Sequence, residues 1–289
     1  MSNPADVPAV STERKPPTLE VVDAQIHVRG EVEQAVAAMD AVGVESAVVD
    51  IAPPETYVLP SGVTRYDYGF VENAMARYPG RFAYMARFDP ADPELDELME
   101  RVAASPGAVC VRTSDGAALE SGGDAPILAA AGRHGLPVMV YLAGRHEALM
   151  RYVREFDDVQ FVIDHCGLDV HEFFSSGSFA HPAGFYVDAL MRYTSFPNVA
   201  VKWSHAPRMS RQSYPFKDVA EQLARMIDAF GVERLLWGSD YTVVRDHHTY
   251  AQSLFCVRDS DLLSESDKEW ILGKTLRQLL HWPARHQRA

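Results

Sequence analysis

The chain has 289 residues, 47% of them hydrophobic, and carries a formal charge of −13. That acidic balance disfavours nucleic acid or an anionic membrane surface as a partner, since both need a basic face, and no apolar run approaches the roughly 18 residues that cross a bilayer. The cysteines, Cys110, Cys166 and Cys256, are widely separated and odd in number, which argues against a disulfide framework and against a cysteine-based zinc site. A small molecule is the expected ligand.

Residues 1–18, rich in Pro, Ser and charge, lack the apolar stretch of a secretory signal. They read as a flexible arm, or one lying on a neighbouring subunit in a homodimer, and a cytoplasmic location follows by default. No linker-like stretch interrupts the rest, so 19–289 is expected to be a single domain. Within it, β-rich runs fall at about 21–27, 46–52, 82–88, 107–113, 137–143, 159–165, 199–205 and 234–240.

Between the runs lie helical stripes such as Val32, Ala35, Val36 and Met39, then Leu95, Leu98, Met99 and Val102, then Val219, Leu223, Met226 and Ile227. Strand and helix in alternation predict an α/β fold with a parallel sheet, and eight repeats predict a (β/α)8 TIM barrel. The segments 247–258 and 265–281 read as helices that close it. Long stretches after the second, sixth and seventh runs (53–65, 167–184 and 206–215) predict loops walling a pocket at the carboxyl ends of the strands.

Three runs end in polar groups. The first ends Asp23-Ala24-Gln25-Ile26-His27, the sixth Asp164-His165, and the eighth Gly238-Ser239-Asp240. Alternation places Asp23, Gln25 and His27 on one face of a strand. In a barrel, His27, His165 and Asp240 then meet on one rim, where imidazoles and a carboxylate can bind a divalent metal or polarise a carbonyl without one. Read alone, two of them have plainer roles: His27 as a satisfied rim histidine, Asp240 as a helix cap. On the seventh run, alternation puts Lys202 and Ser204 on one face and Trp203 and His205 on the other, so only one pair is expected to see the pocket. His247 and His248 read as solvated loop residues that could line the mouth.

The segments Val22-Asp23-Ala24-Gln25-Ile26-His27, Ile163-Asp164-His165-Cys166-Gly167, 198–204 and 236–241, in that order, resemble the amidohydrolase superfamily. The resemblance extends to Ile271-Leu272-Gly273-Lys274-Thr275 and Trp282-Pro283. It lies within the amidohydrolase-2 branch, which holds 2-pyrone-4,6-dicarboxylate lactonase-like and sugar-lactonase-like hydrolases as well as decarboxylases. The family pattern on the first strand is His-x-His, and here it is Gln25-x-His27.

The resemblance implies a hydrolase that opens a lactone or related cyclic ester of a small organic acid. Asp240 is then the general base, and His27 and His165 polarise the carbonyl. It implies substrate binding by Arg112, Tyr141, Lys202, Arg208 and Gln25. Leu168, where some dicarboxylate lactonases carry arginine, implies a less acidic substrate. The cofactor is expected to be none or one divalent metal, zinc first among the candidates, held by His27, His165 and Asp240. The rival readings are a metal-dependent decarboxylase of an aromatic or enol acid, which Gln25 counts against, and a small-molecule-binding barrel without catalysis.

Overall fold

The computed structural model describes residues 19–28, 32–50, 56–113, 115–244 and 247–284; the expected arm, 1–18, lies outside them. Eight parallel strands form one sheet in sequential order: β1 (Val22–Ile26), β2 (Ser46–Asp50), β3 (Phe82–Ala86), β4 (Ala108–Arg112), β5 (Val138–Val140), β6 (Phe161–Ile163), β7 (Val199–Trp203) and β8 (Leu235–Trp237). Helices alternate with them, and the sheet curls back on itself. Beyond the end of β8, Asp240 N–H donates to Gln25 O at 3.0 Å and Ile26 bridges Tyr241, tying the last strand to the first. The fold is a (β/α)8 barrel.

The strands are buried on both sides because their two faces meet different cores. Val22, Ala24, Met85, Cys110, Met139 and Leu236 point into the barrel, while Ile26, Tyr84, Val111, Val201 and Trp237 point out against the helices. This is why the runs read as nearly continuous hydrophobic stretches. Leu276, Leu280 and Trp282 join the inner cluster. These three residues thus plug the barrel floor.

The helices follow the stripes with small shifts. In the helix Val32–Val42 the buried residues are Val32, Ala35 and Met39; in the helix Leu95–Ala103 they are Leu95, Met99 and Val102. In the helix Lys217–Phe230, Phe230 takes the buried place expected of Ile227. The expected helix at 247–258 begins at Tyr250, because Thr249 and Gln252 form a reciprocal capping box. The segment 265–281 breaks into two short helices around a π turn at Trp270–Lys274.

One loop held an element the sequence did not announce. The stretch after β2 contains a small antiparallel hairpin, Thr56–Val58 with Thr64–Tyr66. Among the described residues no helix is long and apolar enough to cross a membrane.

Candidate active site at the carboxyl ends of the strands

On β1 the expected alternation fails at one point. Asp23 pairs with Ala47 and Ile26 with Val49, so three steps along β1 match two along β2. The extra residue is a bulge, which re-aims the side chains after it. Gln25 turns inward to Lys202 and Asp50. Asp23 instead receives the N–H groups of Gln25 (3.1 Å) and Ser239 (2.8 Å) and the Ser239 hydroxyl. Asp23 therefore ties β1 to β8 rather than facing the pocket with Gln25 and His27.

The end of β7 departs from alternation as well. His205 adopts a left-handed backbone (φ +57°), so Lys202, Ser204 and His205 all turn toward the interior while Trp203 packs outside. His205 Nε2 meets Asp240 Oδ2, and the His165 and His205 rings stand edge to face at 4.5 Å. The single inward pair expected from the sequence becomes three inward residues.

The compact cluster is His165, His205 and Asp240, all buried, with one ligand atom from each lying within 4.8 Å of the others. It takes His205 where the sequence suggested His27. All three members have positive φ, +48° at His165, +57° at His205 and +57° at Asp240. Such backbone costs on the order of 1–3 kcal/mol per residue and persists where the surroundings impose it. His27 stays close by, its Nε2 2.8 Å from Asp240 Oδ1. Asp240 is thus flanked by an imidazole on each oxygen.

Charge inside the mouth is dense and paired. Arg87 grips Asp50 through Nε (2.9 Å) and Nη2 (2.7 and 2.8 Å). Arg112 reaches Asp50 at 3.0 Å and Asp164 at 2.6 Å, and its Nη2 lies 3.4 Å from His165 Nε2. Lys202, fully buried, pairs with Asp164 and with the Gln25 amide oxygen. Gly238 leaves room for its stem, since a Cβ there would stand 3.3 Å from Lys202 Cδ. Tyr141 is turned to the helix Val170–Ser176, its hydroxyl donating to Asp169 at 3.3 Å and accepting from Val170 N–H at 3.2 Å. Arg208 is buried with its guanidinium 4.3 Å from the Phe173 ring centre.

Burial alone would raise the Asp240 carboxyl, but His27, His205 and His165 together hold it well below the usual carboxylate range. Burial pushes His165 well below the ordinary histidine value, so its ring is neutral. For His27 burial is again the largest single influence, yet Asp240 and Asp50 together outweigh it and raise the ring above its ordinary value. Asp50 and Asp164 are lowered against burial by Arg112 and its neighbours. His248, expected in solvent, is buried. Burial and the nearby His247, His205 and Arg208 push it down to about 3.

A divalent metal fits the cluster by its donor chemistry. A neutral imidazole, a second imidazole and an ionised carboxylate are the ligand types zinc takes, and three protein ligands leave a position for substrate. Gln25 is not available as a fourth ligand. Its amide oxygen is held by Lys202 and its amide nitrogen donates to Asp50 at 3.1 Å. Periodicity alone does not put His205 in this role, because a change of backbone hand is not written in it.

Solved structures with this architecture include an amidohydrolase from Burkholderia multivorans with bound zinc (18% identity, TM-score 0.68, covering 91% of this chain and 100% of that one). Another is 5-carboxyvanillate decarboxylase from Sphingomonas paucimobilis (14%, 0.67, 91% and 99%). A third, from Pseudomonas putida, is provisionally named a 2-pyrone-4,6-dicarboxylic acid hydrolase (20%, 0.66, 91% and 98%). At these identities the likeness is one of fold. No curated protein matches the sequence. The amidohydrolase family profile (Amidohydro_2) spans residues 22–282, from the first strand to the floor plug, and the chain belongs to that family.

Proposed function

We propose that the chain is a metal-dependent decarboxylase of a small aromatic or enol acid. The observation that carries this reading is the cluster of His165, His205 and Asp240. His205 supplies the imidazole that Gln25 withholds, which removes the main objection to metal-dependent chemistry. A divalent metal bound there would act as a Lewis acid on the substrate's carboxylate oxygens.

The chain's own residues account for the proton. In decarboxylation the carbon bearing the carboxyl group gains a proton, the carbon–carboxyl bond breaks, and its electron pair returns to the ring or enol as carbon dioxide leaves. His27 is suited to deliver that proton. Its Nε2 lies 2.8 Å from Asp240 Oδ1, and at 10% side-chain exposure it is more open than Asp50, Asp164, His165, Lys202, His205 or Asp240. Arg112, braced by Asp50 and Asp164, keeps a fixed cation beside His165.

Lactone hydrolysis is the second reading, favoured by one feature. Asp240 stays ionised at neutral pH, the form a general base for water requires, with His27 and His165 placed to polarise the carbonyl. The test is to load the protein with zinc or manganese and offer hydroxylated benzene carboxylic acids and pyrone lactones separately. Carbon dioxide release and acid release are followed before and after chelation. Carbon dioxide released only with metal supports the decarboxylase; lactone opening that survives chelation, with no carbon dioxide from any acid, overturns it.

A further inference from the structure

Asp164 and His165, consecutive at the end of β6, are both held by β7. Lys202 pairs with Asp164, and Ser204 Oγ lies 2.8 Å from His165 Nδ1. Ser204 is itself pinned, its N–H donating to Lys202 O at 3.0 Å and its carbonyl accepting from Cys166 Sγ at 3.7 Å. On the far side of the imidazole, Nε2 faces Arg112 Nη2 at 3.4 Å. A guanidinium has donors and no lone pair, so Nε2 can join that contact only as an acceptor. Asp164 Oδ2 is also 3.4 Å from Nε2, but it is already taken by Arg112 Nε at 2.7 Å and Nη2 at 2.6 Å, so Nδ1 carries the hydrogen and Ser204 Oγ accepts it.

A solvated neutral histidine favours the opposite form, with its hydrogen on Nε2, and the partner of one ring nitrogen decides which form a protein holds. We infer that Ser204 is a positioning residue that fixes His165 in the Nδ1–H tautomer, which puts the ring's lone pair on Nε2, where a ligand would compete with the 3.4 Å contact from Arg112. A hydrogen bond to the second nitrogen is how proteins orient a metal-binding histidine and set its basicity. The inference about the tautomer stands without a metal; its consequence for metal affinity rests on the function proposed above.

The experiment is nitrogen NMR of the metal-free protein labelled in histidine, with the His165 signals assigned by their loss in His165→Gln. Wild type should show Nδ1 protonated. Ser204→Ala should move His165 to the Nε2–H form, and Ser204→Thr, which keeps the hydroxyl, should restore it. Zinc affinity, read by competition with a chromophoric chelator, should fall roughly 10–100-fold in Ser204→Ala and recover in Ser204→Thr.

Wild type in the Nε2–H form would overturn the inference, because Ser204 would then donate and Nε2 would turn to Asp164 Oδ2, 3.4 Å away. A tautomer unchanged by Ser204→Ala would overturn it too. Wild type that binds no zinc would remove the metal reading while the NMR result still judges Ser204.

Discussion

Gln25 on β1 and Lys202 on β7 meet inside the barrel, the buried lysine ammonium on the glutamine amide oxygen. Lysine can only donate and Asp50 can only accept, so the two partners together fix which way the amide points. Because His27 Nε2 donates to Asp240 Oδ1 at 2.8 Å, the 3.2 Å approach of Gln25 Nε2 to His27 Nε2 is a contact between two donors. Both members of a His-x-His pair could turn to a metal, but here the first position serves as a spacer between a cation and a carboxylate. Restoring histidine alone should not open a second metal site. Gln25→His is expected to bind no more than about one equivalent of zinc per chain by elemental analysis, as one three-ligand site would. A rise toward two would show that Lys202 does not hold the position.

Removing the lysine should be costly. Lys202 and Asp164 are both fully buried, and a buried carboxylate deprived of a partner typically costs about 3–5 kcal/mol. Arg112 remains on Asp164 in Lys202→Met, so the loss should fall toward the lower end. Urea unfolding at neutral pH measures it. A loss below about 1 kcal/mol would mean that Arg112 alone satisfies the carboxylate.

The make-up of the cluster can be tested by contrasting two histidines. His205→Ala removes a member of the compact group, whereas His27→Ala removes a neighbour hydrogen-bonded to Asp240. Zinc affinity in a chelator competition should drop more in His205→Ala than in His27→Ala. The His27 effect should resemble the roughly 10–100-fold loss typical of an outer partner. The reverse order would return the metal to His27, His165 and Asp240.

The sequence was most legible where periodicity governs. All eight strand runs became strands in order, because a strand buried on both faces needs a short continuous apolar run and little else. The polar strand ends were legible too, and His165 and Asp240 were found that way. The rest depended on local breaks in regularity. A one-residue bulge separated Asp23 from Gln25 and His27, and a left-handed residue turned His205 inward. Histidine and aspartate enter that region more readily than most residues but do not signal it. Tyr141 stands against Arg112 and His165, and its hydroxyl is bonded to Asp169 and Val170, partners that follow the next strand and that spacing on β5 cannot name.

Asp23 offers a pH test that is independent of any ligand. It is fully buried between β1 and β8, and burial pushes its carboxyl from 3.8 up to about 6, outweighing the Ser239 and Gln25 groups that donate to it. The folded protein therefore holds this proton more tightly than the unfolded chain does. The resulting stability is fully present below about pH 4, is lost as pH rises through about 6, and stays lost above it. The difference amounts to roughly 3 kcal/mol.

Asp23→Asn keeps an acceptor for the two N–H groups but cannot ionise. Other carboxylates titrate alike in both proteins, so the variant-minus-wild-type difference isolates Asp23. Measured by urea unfolding, that difference should shift in favour of the variant by about 2–3 kcal/mol between pH 4 and pH 7.5. A difference that stays constant across the range would mean that the donors around Asp23, rather than its burial, set its ionisation.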